Sequence, residues 1–516
     1  MRIVTGKDDI LNQCSNLLVD ESKLSGGIPS SVFFPENQKD LRSIILGAAD
    51  EKQQITFIGG HTGTTGGATP VDDCWAISFA RMKQIQKVVR DSSGSHILVC
   101  EPGITLAEIG DFLENPALWP YAVPGCELLC NQTYCYLPDP TEMTAQLGGT
   151  VATNASGARS FRFGSTRDFV HLLSMITPSG DTFTVERGTS VIPSKGITIK
   201  TDQNKVISLD PFTFESLELK NASGFFSKSP MDLIDLFIGS EGTLVVFSSI
   251  GIKLHKKMNY VSGCTFFPSL ETTFSFADFL RKDPQVVSIE LFDHSALQFI
   301  EKYRERFPES IPSFPPHASH AIFWEFIECK PASFESRFAL WEVELQSCKS
   351  SFDNTWSGIE PREIDRLKRF RHALPEMVNA TVASYKKQCN SIRKIGTDTA
   401  LPEGNFAVVY NEYISMIANK KLTFAAFGHL GSFHIHFNLL PSNEQELQDS
   451  LDVYDKMMTL TIANQGTVSA EHGIGKIKKK YLERMYGAEV ILQMKKIKST
   501  FDPQWRFNPG TLFSAL

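Results

Sequence analysis

Three histidines, His429, His434 and His436, fall within eight residues of the segment GHLGSFHIHFN. The preceding Leu422 to Phe427 is apolar and strand-like. On a strand, His434 and His436 would share one side, because side chains alternate with period two. Imidazole is the commonest protein ligand for divalent metals. The cluster therefore reads as a metal site, with a buried, merely hydrogen-bonded histidine pair as the plain alternative. Further along, TVSAEHGIGKIKKKYL sets Glu471 beside His472 in a glycine-flanked loop. Such a neighbouring carboxylate and imidazole can be an ordinary charged pair or the working parts of a site.

Earlier in the chain, FIGGHTGTTGG (57–67) places Gly59, Gly60, Gly63, Gly66 and Gly67 in eleven residues. Successive N–H groups in such a loop form a concavity for an anion, so phosphate or pyrophosphate suits it; a glycine-rich surface turn is the alternative. The spacing GGxxGxxGG is neither the dinucleotide fingerprint nor the Walker loop. A second run of small residues, Gly148, Gly149, Thr150, Ala152, Thr153, Asn154, Ala155, Ser156 and Gly157, lies within PDPTEMTAQLGGTVATNASGARSFRFGSTRDFV (138–170). It lets backbone lie against a flat ligand, or forms a tightly packed turn. A third segment, Gly239, Ser240, Glu241, Gly242 and Thr243, is a turn before a β-rich run.

The elements that must position these groups follow from periodicity. Leu41, Ile44, Ile45 and Ala48 predict a helix over Asp40 to Glu51, and Gln54 to Ile58 a strand running into the first loop. Trp75 to Phe79 reads as another strand, and Glu101 to Leu113 as a Pro-Gly turn becoming helix. Residues 114–137 read as an irregular loop whose Cys126, Cys130 and Cys135 lack a zinc spacing and are ordinary thiols. From about residue 258 phenylalanines and amphipathic helices become frequent, for example Thr272 to Leu280 and Phe334 to Ser347. A helix is predicted over Asn443 to Gln465, with Ser442 and Gln445 as its capping box and Gly466 as its stop. The lysines of 478–480 and 495–498 read as solvated helix faces in preference to a membrane-docking surface.

With 516 residues the chain has room for two or three domains. Its 42% hydrophobic and 21% charged residues are those of a globular protein with a sizeable core. A formal net charge of -7 argues against a general nucleic-acid binder. There is no run of 18 apolar residues and no basic-then-apolar start. The ten scattered cysteines fit reduced thiols, so a cytoplasmic setting is expected.

The ordered set GGHTGTTGG, GGTVATNASGARSFRFGSTRDFV and GSEGTL closely resembles the FAD-binding domain of the vanillyl-alcohol oxidase type. Within it the chain resembles the D-lactate, glycolate and D-2-hydroxyglutarate dehydrogenase group, from about Pro29 to the terminal NPGTLF. The resemblance implies an α+β protein. An FAD-binding domain of two α/β subdomains would span 1–257, and a cap with an antiparallel sheet 258–440. A helical segment, 441–516, would return to the FAD domain. It implies FAD held by Ile58, Gly59, Gly60, His61, Thr62, Gly63, Thr64, Gly66 and Gly67 around the pyrophosphate. Pro138, Thr144, Gly148, Gly149, Ala152, Thr153, Asn154, Gly157, Arg159 and Gly164 would line the isoalloxazine and ribityl chain. Glu241, Gly242 and Thr243 would hold the adenine side, and Asn508 would lie near the flavin. His61 sits one position off the register of relatives that attach FAD covalently, so non-covalent FAD is expected.

By the same resemblance, GHxGDGNxHxN followed by EHGIG makes His429, His436 and Glu471 ligands of a divalent metal, zinc or manganese, and His472 the general base. Ser432, Phe433 and His434 depart from that pattern, which puts the usual substrate in doubt and leaves His434 as an extra ligand or a substrate contact. Arg371, in RFRHALPE, is chosen over Arg369 and Lys394 for the substrate carboxylate. The implied reaction oxidises a 2-hydroxy acid, of D configuration, to the 2-oxo acid, with hydride passing to flavin N5. A quinone, an electron-transfer flavoprotein, a cytochrome or an iron–sulfur subunit would accept the electrons. A homodimer and a peripheral membrane contact stay open. The rival readings are a flavoenzyme resembling alkyldihydroxyacetone-phosphate synthase and a non-catalytic FAD-binding subunit of an electron-transfer complex.

Overall fold

The computed structural model describes all residues except 139–141, 193–195, 212–213, 305–312, 328–330, 359 and 515–516. Its contacts divide the chain into two units. The first comprises Met1–Gly157, Gly164–Lys257 and Ser469–Leu516; the second comprises Ala158–Phe163 and Met258–Val468.

In the first unit, the strands Arg2–Thr5, Ser31–Phe34, Trp75–Ser78 and Ile55–Ile58 lie in that order across one sheet. The last three are parallel, which demands a crossover between Ser31–Phe34 and Ile55–Ile58. The helix Gln38–Asp50 supplies it, started by Asn37, whose side chain accepts from the Asp40 N–H. Its predicted apolar stripe, Leu41, Ile44, Ile45 and Ala48, is buried with Phe33, Ile55 and Ile77. The first glycine loop thus leaves the C-terminal end of a parallel strand, the edge where open parallel sheets bind ligands. A second, antiparallel sheet runs Ile85–Arg90, His96–Cys100, Val246–Lys253, Val170–Ile176 and Thr182–Glu186. The tail contributes the helix Lys479–Phe501, which breaks at Gly487 with φ 75°.

The second unit is built on an antiparallel sheet whose central strands are Tyr260–Phe267, His320–Ile327, Val286–Phe292, Phe424–His429 and His434–Leu439, in that order. The helices His294–Tyr303 and Pro361–Lys386 bury Leu297, Ile300, Phe370 and Leu374 against Phe266, Phe292 and Phe323. The helix Glu444–Ala463 also belongs here, so this unit runs to Val468 where the sequence reading ended it at 440. The cause is packing: Tyr413, on the helix Glu403–Asn419, donates its hydroxyl to the Met457 carbonyl at 3.0 Å. Its cap is one residue later than the sequence suggested. Asn443, not Ser442, accepts at the N-cap, from the Glu446 N–H, while Ser442 donates to the Glu446 carboxylate. Among the described residues no helix is long and apolar enough to cross a membrane.

Candidate cofactor cradle and histidine cluster

The three small-residue segments of the first unit meet. Gly60 lies against Thr144 to Gln146, where an added Cβ would come within 2.9 Å of the Thr144 carbonyl oxygen. Gly475, at φ 53°, lies on the Thr65 carbonyl, so neither loop tolerates a side chain there. His61 takes φ 60° and Gly66 φ 77°, which opens the loop into a concave turn. Loop carbonyls are used too: Gly63 accepts from the Ser22 N–H, and Gly66, Gly67 and Thr69 from the Lys476 ammonium, at 2.8 Å for Thr69.

The second segment folds as a short helix, Leu147–Thr153, closed by Asn154 at φ 51°. The exposed carbonyls of its last turn accept from the third segment: Val151 from the Gly239 N–H and Ala152 from the Glu241 N–H. The Asn154 side chain accepts from the Arg167 N–H, and Thr153 donates to the Gly149 carbonyl. A Cβ on Gly149 would meet nothing within 4 Å. Space is therefore left beside this helix, while Gly148 is pressed on Pro102.

Two residues expected at the cofactor, Glu241 and Asn508, also clasp the cradle. Asn508 accepts from the Phe57 N–H at 2.8 Å and donates to the Glu241 carbonyl at 2.7 Å. The Glu241 carboxylate accepts from the N–H groups of Ile474 and Gly475, both at 2.8 Å. Burial pushes this carboxyl from an ordinary 4.5 up to about 7, against the pull of those N–H groups and of Lys478 and Lys476. A raised pKa means that its contribution to stability is whole below about 4.5 and is lost as pH rises through about 7. The melting temperature of Glu241→Gln should therefore fall less than the parent's between about pH 5 and pH 8. Equal falls would assign that titration elsewhere.

Arg159, expected at the cofactor, has a partner that the sequence reading did not name. It lies in the second unit, with its Nε 2.9 Å and Nη2 3.2 Å from the buried Glu325 carboxylate and its guanidinium over the Tyr260 ring. Pro138 is buried, and Thr144 donates its N–H and hydroxyl to Glu142. Cys126, Cys130 and Cys135 form no disulfide, and the thiols of Cys130 and Cys135 donate to the carbonyls of Cys126 and Lys256.

Cofactor fit can be judged from polar groups in the cradle. The Gln146 side-chain oxygen is buried beside Gly59 without a hydrogen-bond partner. It is an acceptor suited to a donor-bearing ligand. With the glycine loop and the space at Gly149, the residues present fit FAD.

Glu471 and His472 also belong to the first unit. Glu471 is 9% exposed and accepts from Lys220 at 2.7 Å and from Ser156 at 3.4 Å. His472, 34% exposed, has its Nε2 3.6 Å from Glu471. Its carbonyl accepts from the Thr65 hydroxyl at 3.3 Å, which ties this loop to the first glycine loop.

The histidine cluster lies on one hairpin of the second unit. His429 stands opposite His434 across its two strands, and Phe427 opposite His436. Gly428 is required between them, since a Cβ there would meet the His434 carbonyl at 3.1 Å and the His436 ring at 3.2 Å. Ligand atoms of His429, His434 and His436 lie within 4.8 Å of one another. Each ring is oriented by a partner. His429 Nδ1 is 2.7 Å from Glu290, its cross-strand neighbour, and His436 Nδ1 is 3.1 Å from the Thr397 carbonyl. His434 is fully buried with its Nε2 3.2 Å from Asp398. Arg371 joins the group, its Nε 3.6 Å from the second Glu290 oxygen, whereas Arg369 and Lys394 are exposed. Three clustered imidazoles, two of them oriented at Nδ1 by acceptor oxygens, fit a divalent metal.

Glu290, Asp398, Lys220 and Gln146 were missed by sequence reasoning, and Ser156 was seen only as one of a run of small residues. Only Glu290 carries a signal, a lone carboxylate within the fully buried strand Val286–Phe292.

Two family models match the chain. Residues 29–186 match the family "FAD binding domain", and 257–512 match "FAD linked oxidases, C-terminal domain". The chain is 24% identical over 507 residues to a D-2-hydroxyglutarate dehydrogenase of Stutzerimonas stutzeri, covering 96% of this chain and 93% of that protein. It is 26% identical to a mitochondrial D-lactate dehydrogenase [cytochrome] of Arabidopsis thaliana (94% and 73%). It is 22% identical to glycolate oxidase subunit GlcD of Bacillus subtilis (94% and 89%). A solved alkyldihydroxyacetonephosphate synthase shares the fold, with a TM-score of 0.61 at 14% identity over 94% of this chain and 77% of that one.

Proposed function

The chain belongs to the FAD-linked oxidase family and is thereby an oxidoreductase, and we propose that it oxidises a 2-hydroxy acid, of D configuration, to the 2-oxo acid. The observation that supports the reading is the clustering of His429, His434 and His436 on one hairpin, with Glu290 beside Nδ1 of His429 and the Thr397 carbonyl beside Nδ1 of His436. We assign His429, His436 and Glu471 to a zinc or manganese ion. When bound, that ion supplies Lewis acidity to the substrate hydroxyl. FAD, held in the glycine cradle, supplies the two-electron acceptor.

The chain's own groups then divide the remaining work. His472, partly exposed and held by Thr65 and Glu471, accepts the hydroxyl proton. Lys220 and Ser156 fix the Glu471 carboxylate. Arg371 keeps its Nε near Glu290 and offers its remaining N–H groups to the substrate carboxylate. The physiological acceptor belongs to the quinone, flavoprotein, cytochrome or iron–sulfur classes.

The purified protein should be yellow, and acid precipitation should release FAD into the supernatant. A protein that stays colourless after incubation with FAD would defeat the reading, and flavin retained in the precipitate would mean covalent attachment, with His61 the first residue to examine. His436→Ala should lose the metal in elemental analysis while keeping the flavin. Full metal content with parental activity would take His436 out of the site.

A further inference from the structure

The first unit carries a pocket of about 630 Å³ at the outer end of the hairpin formed by Ile85–Arg90 and His96–Cys100. Arg90, His96, Lys253, His255 and Lys256 line it, together with Tyr134. Among the described residues no carboxylate lines it, although the chain as a whole has a net charge of -7. None of its residues belongs to the glycine loops, the Glu471–His472 loop or the histidine cluster. We infer that this pocket is a second ligand site, which takes a small multivalent oxyanion of the phosphoryl or carboxyl class.

The walls are fixed by backbone. The strand Tyr134–Cys135 pairs with His255–Lys256, which sets Lys256 opposite Tyr134. The Leu254 N–H donates to the His96 carbonyl at 2.8 Å, and the His96 ring lies 4.7 Å from the Tyr134 ring. Arg90 Nε donates to His96 Nε2 at 3.3 Å, which aims the guanidinium along the same wall. Of the acidic groups beside the lining residues along the chain, Glu127 is exposed and outside the lining, and Asp91 is engaged elsewhere. Asp91 accepts from the N–H groups of Ser93 and Ser95 in its own turn, and Glu114 lies 3.7 Å from Lys257. Arg90, Lys253 and Lys256 are the fixed cations of this wall, and they repel one another. His96 is held below its ordinary value by burial and then by Arg90 and Lys256, and His255 by burial and then by Lys253. A multivalent anion among them relieves that repulsion and makes charge-assisted hydrogen bonds. The volume is that of a small-molecule site, which favours a compact anion over the surface of an acidic protein.

Calorimetric titration of the FAD-loaded, metal-loaded protein with pyrophosphate, and separately with citrate, tests this. The comparison is with Arg90→Glu/Lys256→Glu, both exposed positions outside the proposed catalytic groups, and with Lys200→Glu as a charge control. The parent and the control should bind at least one of the two anions. The double variant should bind it roughly tenfold or more weakly, as for lost charge-assisted contacts, with its flavin spectrum unchanged. Equal binding by parent and double variant would place the anion at the flavin or metal site and overturn the inference. So would binding of neither anion. If polyglutamate binds while pyrophosphate and citrate do not, the pocket is instead part of a docking surface for an acidic protein.

Discussion

His472→Ala reduces the rate of flavin reduction by roughly 10²–10⁴-fold, the usual worth of a general base, while the protein retains its FAD and its metal. The expectation follows from how the residue is held. Its backbone is tied through Thr65 to the first glycine loop, its neighbour Glu471 is fixed by Lys220, and its ring keeps 34% exposure. The ring can therefore be removed without unseating the loop, so the loss falls on proton transfer and not on cofactor binding. The pH dependence of kcat/KM should lose its acidic limb in the variant, since a base must be unprotonated to act. Flavin reduction within a few-fold of the parent, with that limb intact, would assign the proton to another group.

Arg371→Ala lowers kcat/KM by two or more decades. Removing one partner of a buried charged pair costs about 3–5 kcal/mol, and here two anions depend on the same guanidinium. Glu290 is 7% exposed and already shares its carboxylate between His429 and Arg371. The substrate carboxylate is the second anion, and burying it without a charged partner is costly. Arg371→Lys separates the two roles. Lysine can keep a point-charge contact with Glu290 but cannot make the two-pronged contact that orients a carboxylate. It should preserve metal content yet restore only part of kcat/KM. Steady-state kinetics with both lactate enantiomers and longer 2-hydroxy acids, beside metal analysis, measures both effects. Parental kinetics in Arg371→Ala would pass the carboxylate to Arg369 or Lys394.

Much of this arrangement is written locally in the chain. The glycine loop, the helix before it and the histidine spacing depend on backbone freedom and side-chain period, and each is visible within about a dozen residues. What positions the chemistry is not local. Glu290 is 139 residues from His429, and Lys220 is 251 residues from Glu471. Nothing in the short-range pattern around Lys220 announces its partner. The resemblance offers Arg159 as a cofactor contact, and nothing local announces that its side chain also pairs with Glu325, 166 residues away. Glu241 and Asn508 show the same limit. The resemblance places them at the cofactor, and only the structure reveals that they also lock the third segment to Ile474, Gly475 and Phe57. The misplaced cap at Ser442 has a smaller cause: serine and asparagine are both good N-caps, and Glu446, not Gln445, makes the reciprocal contact.

The central claim is that a hydroxy acid reduces the flavin of this protein. Anaerobic mixing of the FAD- and metal-loaded protein with a panel of 2-hydroxy acids, both enantiomers of each, reads it directly in the flavin absorbance. The account predicts rapid bleaching by at least one D-2-hydroxy acid, little by its L-enantiomer, and loss of bleaching after metal removal. A flavin that stays oxidised with every acid in the panel would contradict it.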